Sequence, residues 1–330
     1  MLALIRTIFS TTFSISRSIW HSLDVVFRLF SNAFRDRKLE RSDPDALDMP
    51  PAPVPEAGDL IATVDDLNTT SNVEIIEVRR YYPPGVSEII GRGGESFIGV
   101  LDEFTVLKYP CIPGNHESIQ TEARLLEILG GHPRIIASKG LTKDGLVLQR
   151  AWNGCLNDYI ISQPTIPFDR RLLWCKQAAE AVSFIHGKHV IHCDINLRNF
   201  LLDKELDLLL ADFQGMLKSV DGKTLLDGLS RECSKSYLPR PHGDYACVKT
   251  DLFALGSAIY FIMTGHEVFP ELDSLEDDEE IFSRFENELF PLDNHACYHI
   301  TEKCWKQQYR SAEEVVSDIS LLQASMTAAE

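Results

Sequence analysis

Two rhythms of apolar and polar positions divide this chain. In VSEIIGRGGESFIGVLDEFTVLKYP, residues 86–110, apolar positions alternate around a glycine cluster and an Asp102-Glu103 turn, which predicts strands joined by tight turns. ESIQTEARLLEILG carries its apolar residues at helical spacing and stops at Gly130-Gly131, so one helix interrupts the strands. RIIASKGLTKDGLVLQRAW returns to strand rhythm around Asp144-Gly145. After Trp152 helices take over. FDRRLLWCKQAAEAVSFIHGKH predicts a long amphipathic helix ending at Gly187, and DLFALGSAIYFIMTG, apolar nearly all round, a buried one. EDDEEIFSRFENELF and SAEEVVSDISLLQASM complete the set; the acid run 276–280 reads as a solvated helix start suited to the helix dipole. The fold class is α+β, with a small β lobe holding one helix over 73–149 and a larger, mainly helical lobe over 152–330.

Upstream, periodicity vanishes. DPDALDMPPAPVPEAGDLIATVDDLNTTSN is dominated by Pro, Ala and acid, so residues 42–72 read as a disordered linker and the ordered body begins near Val73. Residues 1–41 differ again. Arg6, Arg17, Arg28 and Arg35 recur at eleven or seven residues, which places them on one face of a helix, among Ile5, Ile8, Phe9, Trp20 and Phe27. No window of eighteen uninterrupted apolar residues exists, so a spanning helix is not predicted. The pattern fits a basic amphipathic helix on a membrane surface, an organelle-targeting peptide such as a mitochondrial one, or a helix packed on the protein's own body.

Charge sharpens this division. The 330 residues carry a formal net charge of −17, yet residues 1–41 hold seven Arg/Lys against three Asp/Glu, a net of +4 that leaves −21 for the rest. Such a sum argues against a nucleic-acid-binding surface across the whole protein. Eight cysteines are scattered without C-x-x-C spacing, which fits a reduced, intracellular and by default cytoplasmic setting better than a disulfide framework or a zinc site.

The chemistry concentrates in HVIHCDINLRNFLLDKELDLLLADFQG, residues 189–215. Asp194, Asn199 and Asp212 lie between two strongly apolar runs, and buried carboxylates are costly unless paired or bound to a cation. Leu206–Leu210 with Ala211 reads as a short buried strand whose end delivers Asp212 to the mouth of a core. A metal or phosphate site and a well-solvated turn are the two readings of that placement.

The order of the pieces from about residue 85 to 320 resembles a eukaryotic-type protein kinase domain, in particular the divergent serine/threonine kinase-like families of filamentous fungi. A glycine-rich turn comes first, then the strand lysine of TVLKYP and a helix with a glutamate. H-x-D-x-x-x-x-N, D-F-x-G and a buried helix opening with Asp follow. The resemblance implies a two-lobed kinase-like fold with an antiparallel β lobe, ATP and Mg²⁺ as cofactors, and a protein substrate phosphorylated on Ser or Thr. It implies that Gly91, Arg92, Gly93, Gly94, Ser96 and Ile98 cover the ATP phosphates, through backbone N–H groups that glycine frees to approach. Two turn registers fit: Gly91 and Gly93 with Ser96 in place of a third glycine, or Gly93 with Phe97 at the tip. The first is preferred because it starts the turn directly after Glu88–Ile90. Lys108 would reach the α and β phosphates, and Glu122, chosen over Glu117 and Glu127, would pair with it. Leu148 would guard the back of the adenine pocket, with Gln149, Arg150 and Ala151 as the hinge. Asp194 would accept or orient the proton of the attacking hydroxyl. Asn199 and Asp212 would hold metal. His192 and Asp251 are assigned structural support, Asp251 tying down the catalytic loop or capping its own helix.

Departures from the family pattern qualify the activity. Cys193 replaces the Arg that commonly holds a phosphorylated activation loop, so switching by loop phosphorylation is not expected. Asn196 stands where serine/threonine kinases carry a lysine, and Arg198 is reminiscent of tyrosine kinases. Gln214 replaces a glycine after D-F, which predicts a less mobile segment. Arg240 occupies the glutamate position of A-P-E and cannot pair with Arg310, so another acid, Asp244 among the candidates, must substitute or the substrate platform is looser. Two alternatives to an active kinase stay open: a pseudokinase scaffold and a small-molecule phosphotransferase.

Overall fold

The computed structural model describes residues 80–163, 165–241 and 246–327. The expectations for residues 1–41 and 42–72, for the start of the body at Val73 and for Asp244 lie outside them.

Five strands form an antiparallel sheet in the order β1-β2-β3-β5-β4: β1 Glu88–Arg92, β2 Ser96–Val100, β3 Thr105–Pro110, β4 Ser138–Leu141 and β5 Leu146–Gln149. Alternation explains why the sheet has two different faces. Phe97, Leu107 and Tyr109 point one way and pack with Tyr81 and Val86 in a separate cluster. Ile98, Val106 and Leu148 point the other way and join the main core. Lys108 pairs with Ile98 on one side and Leu146 on the other, so register alone puts its side chain on this second, inner face. Helix α1, Glu117–Leu129, covers that face with Ile119, Leu125, Leu126 and Leu129, and Glu122 falls on the same buried stripe. Glu117 and Glu127 are exposed.

The second lobe is built on α3, Phe168–Gly187, and α4, Val248–Thr264, with α2 Leu156–Ser162, α5 Asp278–Glu286, α6 Tyr298–Trp305 and α7 Ala312–Thr327 around them. Buried residues run from Thr250 to Ile262 in α4, as its all-round apolar sequence predicts. Gly256 is where α6 comes closest: a Cβ there would lie 2.7 Å from Cys304 Cβ. Trp174, fully buried in α3, donates its indole N–H to the Leu206 carbonyl at 2.8 Å. Short strands β6 Val190–Ile191, β7 Phe200–Leu202, β8 Leu208–Leu210 and β9 Met216–Lys218 flank the loops of interest, followed by β10 Thr224–Asp227. The fold is α+β and two-lobed, an antiparallel β lobe followed by a helical one, as the resemblance implies.

Four local expectations are corrected. β1 does not stop at Ile90: it runs to Arg92 through an irregular pairing, Gly91 lies inside the strand opposite Ile98, and the turn is Gly93–Glu95. Phe97 is not at the tip either, being 1% exposed in β2. The buried strand before Asp212 is shorter than Leu206–Leu210, because Leu206 takes φ +63° in a turn closed onto Asp203. Asp251 does not cap α4, which begins three residues earlier with Cys247 as its N-cap. Among the described residues no helix is long and apolar enough to cross a membrane.

Candidate active site

Three segments meet at Lys108. β3 presents its ammonium to Glu122 of α1 at 2.5 Å and to Asp212, which follows β8. The Lys108 and Glu122 side chains are buried, whereas 42% of the Asp212 side chain meets solvent, so Asp212 faces an open cleft. Burial alone would favour neutral Lys108, but the two carboxylates outweigh it and hold the ammonium form well above its usual range. Burial pushes Glu122 upward, with the Asp212 charge adding and Lys108 pulling against both. For Asp212 burial also acts upward, yet the Lys108 ammonium carries it below the ordinary carboxylate value. Asp212 is an anion at neutral pH, held with φ +65° in the left-handed region that Asp tolerates.

The loop between β6 and β7 supplies the other polar groups. Asp194 Oδ1 accepts from Asn196 Nδ2 at 2.8 Å and Oδ2 from Asn199 Nδ2 at 2.9 Å. Burial raises the Asp194 carboxyl above its ordinary value, and the Asp212 charge adds to that rise. His192 and the two amides act in the opposite sense. Asn199 is locked beside Asp212 because Ala211 N–H donates to its carbonyl at 2.9 Å. His192 Nε2 lies 3.0 Å from the Ala211 carbonyl and its ring meets Phe213 edge-on, which fits structural support. Asp251, fully buried, accepts the His192 and Cys193 backbone N–H groups at 2.7 and 3.0 Å.

The site residues named from the sequence therefore fall into one region. Lys108, Glu122 and Asp212 touch, Asp194 touches Asn199, and the β7–β8 pairing joins the two groups. Ile98 and Leu148 line the inner face of the sheet above them. Gly93 N–H donates within its own turn, to Ser96 O at 2.7 Å, while Gly94 has nothing within 4 Å of a Cβ position. Gly91 and Arg92 stand in β1, Ser96 in β2. In the segment expected to form the hinge, Gln149 N–H donates to Ala137 and Arg150 N–H to Phe104, and Ala151 follows these bonds.

Oxygen donors dominate this cleft. The Asn199 amide nitrogen points at Asp194, which leaves Oδ1 as its acceptor end, and Asp212 adds a carboxylate open to solvent. Among the described residues no group of three or more His, Cys, Asp and Glu forms a self-sufficient metal cage. Such a set fits a hard cation such as Mg²⁺, whose shell phosphate oxygens and water complete.

Some partners were not legible beforehand. Asn196 was read only as a missing lysine, yet it orients Asp194. His186, at the end of α3, lies 3.0 Å from Asp251 Oδ2, and nothing in its local sequence signals that. Gln214 Nε2 donates to Asp212 Oδ1 at 3.2 Å, tying down the residue after D-F. Arg240 pairs with Glu232 at 3.0 Å, while Arg310 is exposed and its backbone N–H donates to Glu314 at 2.8 Å, so Glu232 partners Arg240 rather than replacing the missing glutamate opposite Arg310. Gly215 is required by close approach, since a Cβ would lie 2.1 Å from the Ile191 carbonyl oxygen. Gly215→Ala is expected to displace this turn and lower stability by about 1–3 kcal/mol, read from denaturant midpoints.

The model of the protein kinase domain family matches residues 106–324. The chain is 27% identical over 220 residues to a carbon catabolite-derepressing protein kinase of Candida albicans, covering 64% of this chain and 33% of that protein. It is 31% identical over 173 residues to serine/threonine-protein kinase SIK1 of Rattus norvegicus, covering 49% and 21%. With the phosphorylase b kinase gamma catalytic chain, liver/testis isoform, of Bos taurus it shares 25% over 202 residues, 56% and 50% of the two chains. The chain thus spans between 21% and 50% of these relatives' lengths.

Proposed function

The chain belongs to the protein kinase domain family, and on that footing we propose that it transfers the γ-phosphate of ATP to Ser or Thr hydroxyls of protein substrates. One observation carries the reading: Lys108 clamped between buried Glu122 and cleft-facing Asp212, beside an Asp194 whose carboxylate oxygens are both oriented by amides. Lys108 holds the α and β phosphates and Glu122 fixes its direction. Asp212 and Asn199 would hold Mg²⁺, which would supply neutralising charge to the phosphates. Asp194 orients the incoming hydroxyl and takes its proton as the new O–P bond forms and the bond to the β-phosphate oxygen breaks. Ile98, Leu148 and the hinge backbone at Gln149 and Ala151 receive the adenine. Preference for Ser or Thr leans on the rat relative, whose name is that of a serine/threonine kinase.

A nucleotide-binding scaffold is favoured by one detail. Asn196 donates to Asp194 and accepts Arg198 N–H at 2.9 Å, so both ends of the amide are engaged and neither serves the γ-phosphate. The deciding experiment offers the full chain radiolabelled ATP–Mg²⁺ with basic and acidic Ser/Thr peptides. Label on peptide supports the kinase; thermal stabilisation by nucleotide without transfer supports the scaffold.

Acid sensitivity gives a finer test. The base must be ionised, and burial lifts the Asp194 carboxyl above its ordinary 3.8, so kcat/KM falls as pH drops through a value higher than that. The Asn196 hydrogen bond favours the charged form, so Asn196→Ala is expected to move this acid limb to still higher pH. A limb that stays in place in the pH–rate profile would separate Asn196 from the base.

A further inference from the structure

The segment after Asp212 is closed at every stage. β9 pairs with β6 just ahead of the catalytic loop, and β10 pairs with β9. Gly228 and Ser230 N–H groups then donate back to Gly215 and Gln214 at 2.8 and 3.1 Å. A 3₁₀ turn, Ser234–Ser236, is pinned to the α4–α5 connection by Lys235–Glu267 at 3.0 Å and by Ser234 Oγ to Ser274 O at 2.7 Å.

Between these anchors lies Glu232, whose side chain is 0% exposed. Its Oε2 pairs with Arg240 at 3.0 Å, and its buried Oε1 has no hydrogen-bond partner. Arg240 lies 4.5 Å over the Tyr237 ring and donates to Leu238 O at 3.1 Å. A carboxylate so deep is tenable only with its cation in place. The catalytic loop offers no cation at Cys193, which is fully buried and uncharged, its thiol pushed up by burial first and then by Asp251 and Glu232.

We infer that Glu232 and Arg240 are positioning residues that close segment 212–240 from within, so that the substrate platform assembles without a phosphoryl group on the segment. This rests on reading the segment as the carrier of protein substrate. It bears on two departures together: Arg240, out of place for a glutamate, finds its acid inside the segment, and Glu232 finds there the cation that Cys193 does not supply.

The test is hydrogen exchange by mass spectrometry on the full chain over residues 228–241, with a peptide from α3 reporting global folding. Arg240→Met leaves Glu232 buried without its cation, so exchange in 228–241 is expected to rise on the order of tenfold or more. The Michaelis constant for peptide is expected to rise several-fold while that for ATP holds. Glu232→Gln combined with Arg240→Met removes the stranded charge and is expected to slow exchange again, and phosphatase treatment of the wild type leaves it slow. Should Arg240→Met open α3 as well, Arg240→Lys, which keeps the charge and loses the planar fork, is expected to loosen 228–241 alone. Wild-type exchange in both Arg240 variants, no rescue in the double variant, or opening by phosphatase would each overturn the inference. Exchange is read without catalysis, so protection that behaves as expected in a chain that transfers no phosphate would sink the kinase reading and leave the closure standing.

Discussion

Asp194→Asn is expected to cut phosphoryl transfer by on the order of 10²–10⁴ while nucleotide still stabilises the protein against heat. Both Asp194 carboxylate oxygens accept from amide groups, Asn196 at 2.8 Å and Asn199 at 2.9 Å. An Asn at 194 can satisfy one of these donors but meets the other with its own NH₂, a local mismatch of about 1–3 kcal/mol. That leaves most of a typical 5–15 kcal/mol domain stability intact. Lys108, Glu122 and Asp212 are untouched, so nucleotide binding should persist. What disappears is an acceptor able to take the hydroxyl proton. Initial rates on the best peptide, alongside melting curves with and without ADP–Mg²⁺, check both halves. Equal rates in the two proteins would remove Asp194 from the chemistry and with it the proposed mechanism.

How much of this could be read from sequence depended on whether a pattern had a buried face. β2 and β3 alternate around a core, so strands on either side of the Asp102-Glu103 turn were legible, whereas the role of Lys108 came from the resemblance. The end of β1 was not: Ile90 is 46% exposed, and a half-solvated strand carries little periodic signal about where it stops. Leu206 belongs to a hydrophobic run, yet φ +63° takes it out of the strand; an apolar letter does not report a left-handed turn. The short elements β6, β7, β9, β10 and α6 went unseen because tertiary contacts, rather than local propensity, hold them. Asp194, Asn199 and Asp212 were found because the resemblance fixes their spacing. Glu232, Asn196 and His186 were missed because each acts through a partner in irregular or distant chain, where no spacing rule applies.

Asp251→Ala should show the opposite balance from Asp194→Asn, a large loss of stability with loss of activity as its consequence. Asp251 is fully buried in the first turn of α4, and no solvent can replace what it accepts. Its Oδ2 takes the His192 N–H at 2.7 Å and faces His186 Nε2 at 3.0 Å, while Oδ1 takes the Cys193 N–H at 3.0 Å. Cys193 sits at φ +64°, a conformation that costs a non-glycine residue of order 1 kcal/mol or more and persists only when its surroundings enforce it. Removing the carboxylate strands two buried donors and releases that enforcement together. Hydrogen bonds to a charged acceptor contribute about 1.5–3 kcal/mol each, so the total loss should be roughly 3–5 kcal/mol, a fall in Tm on the order of 10 °C. Asp251→Asn, which keeps one acceptor oxygen, should fall between. Because Asp194 follows Cys193 directly, the freed loop also loses the aim of its base. A variant that melts like wild type would mean that the loop holds its shape by β6 and β7 alone, and the route from α4 to the catalytic residue would have to be redrawn.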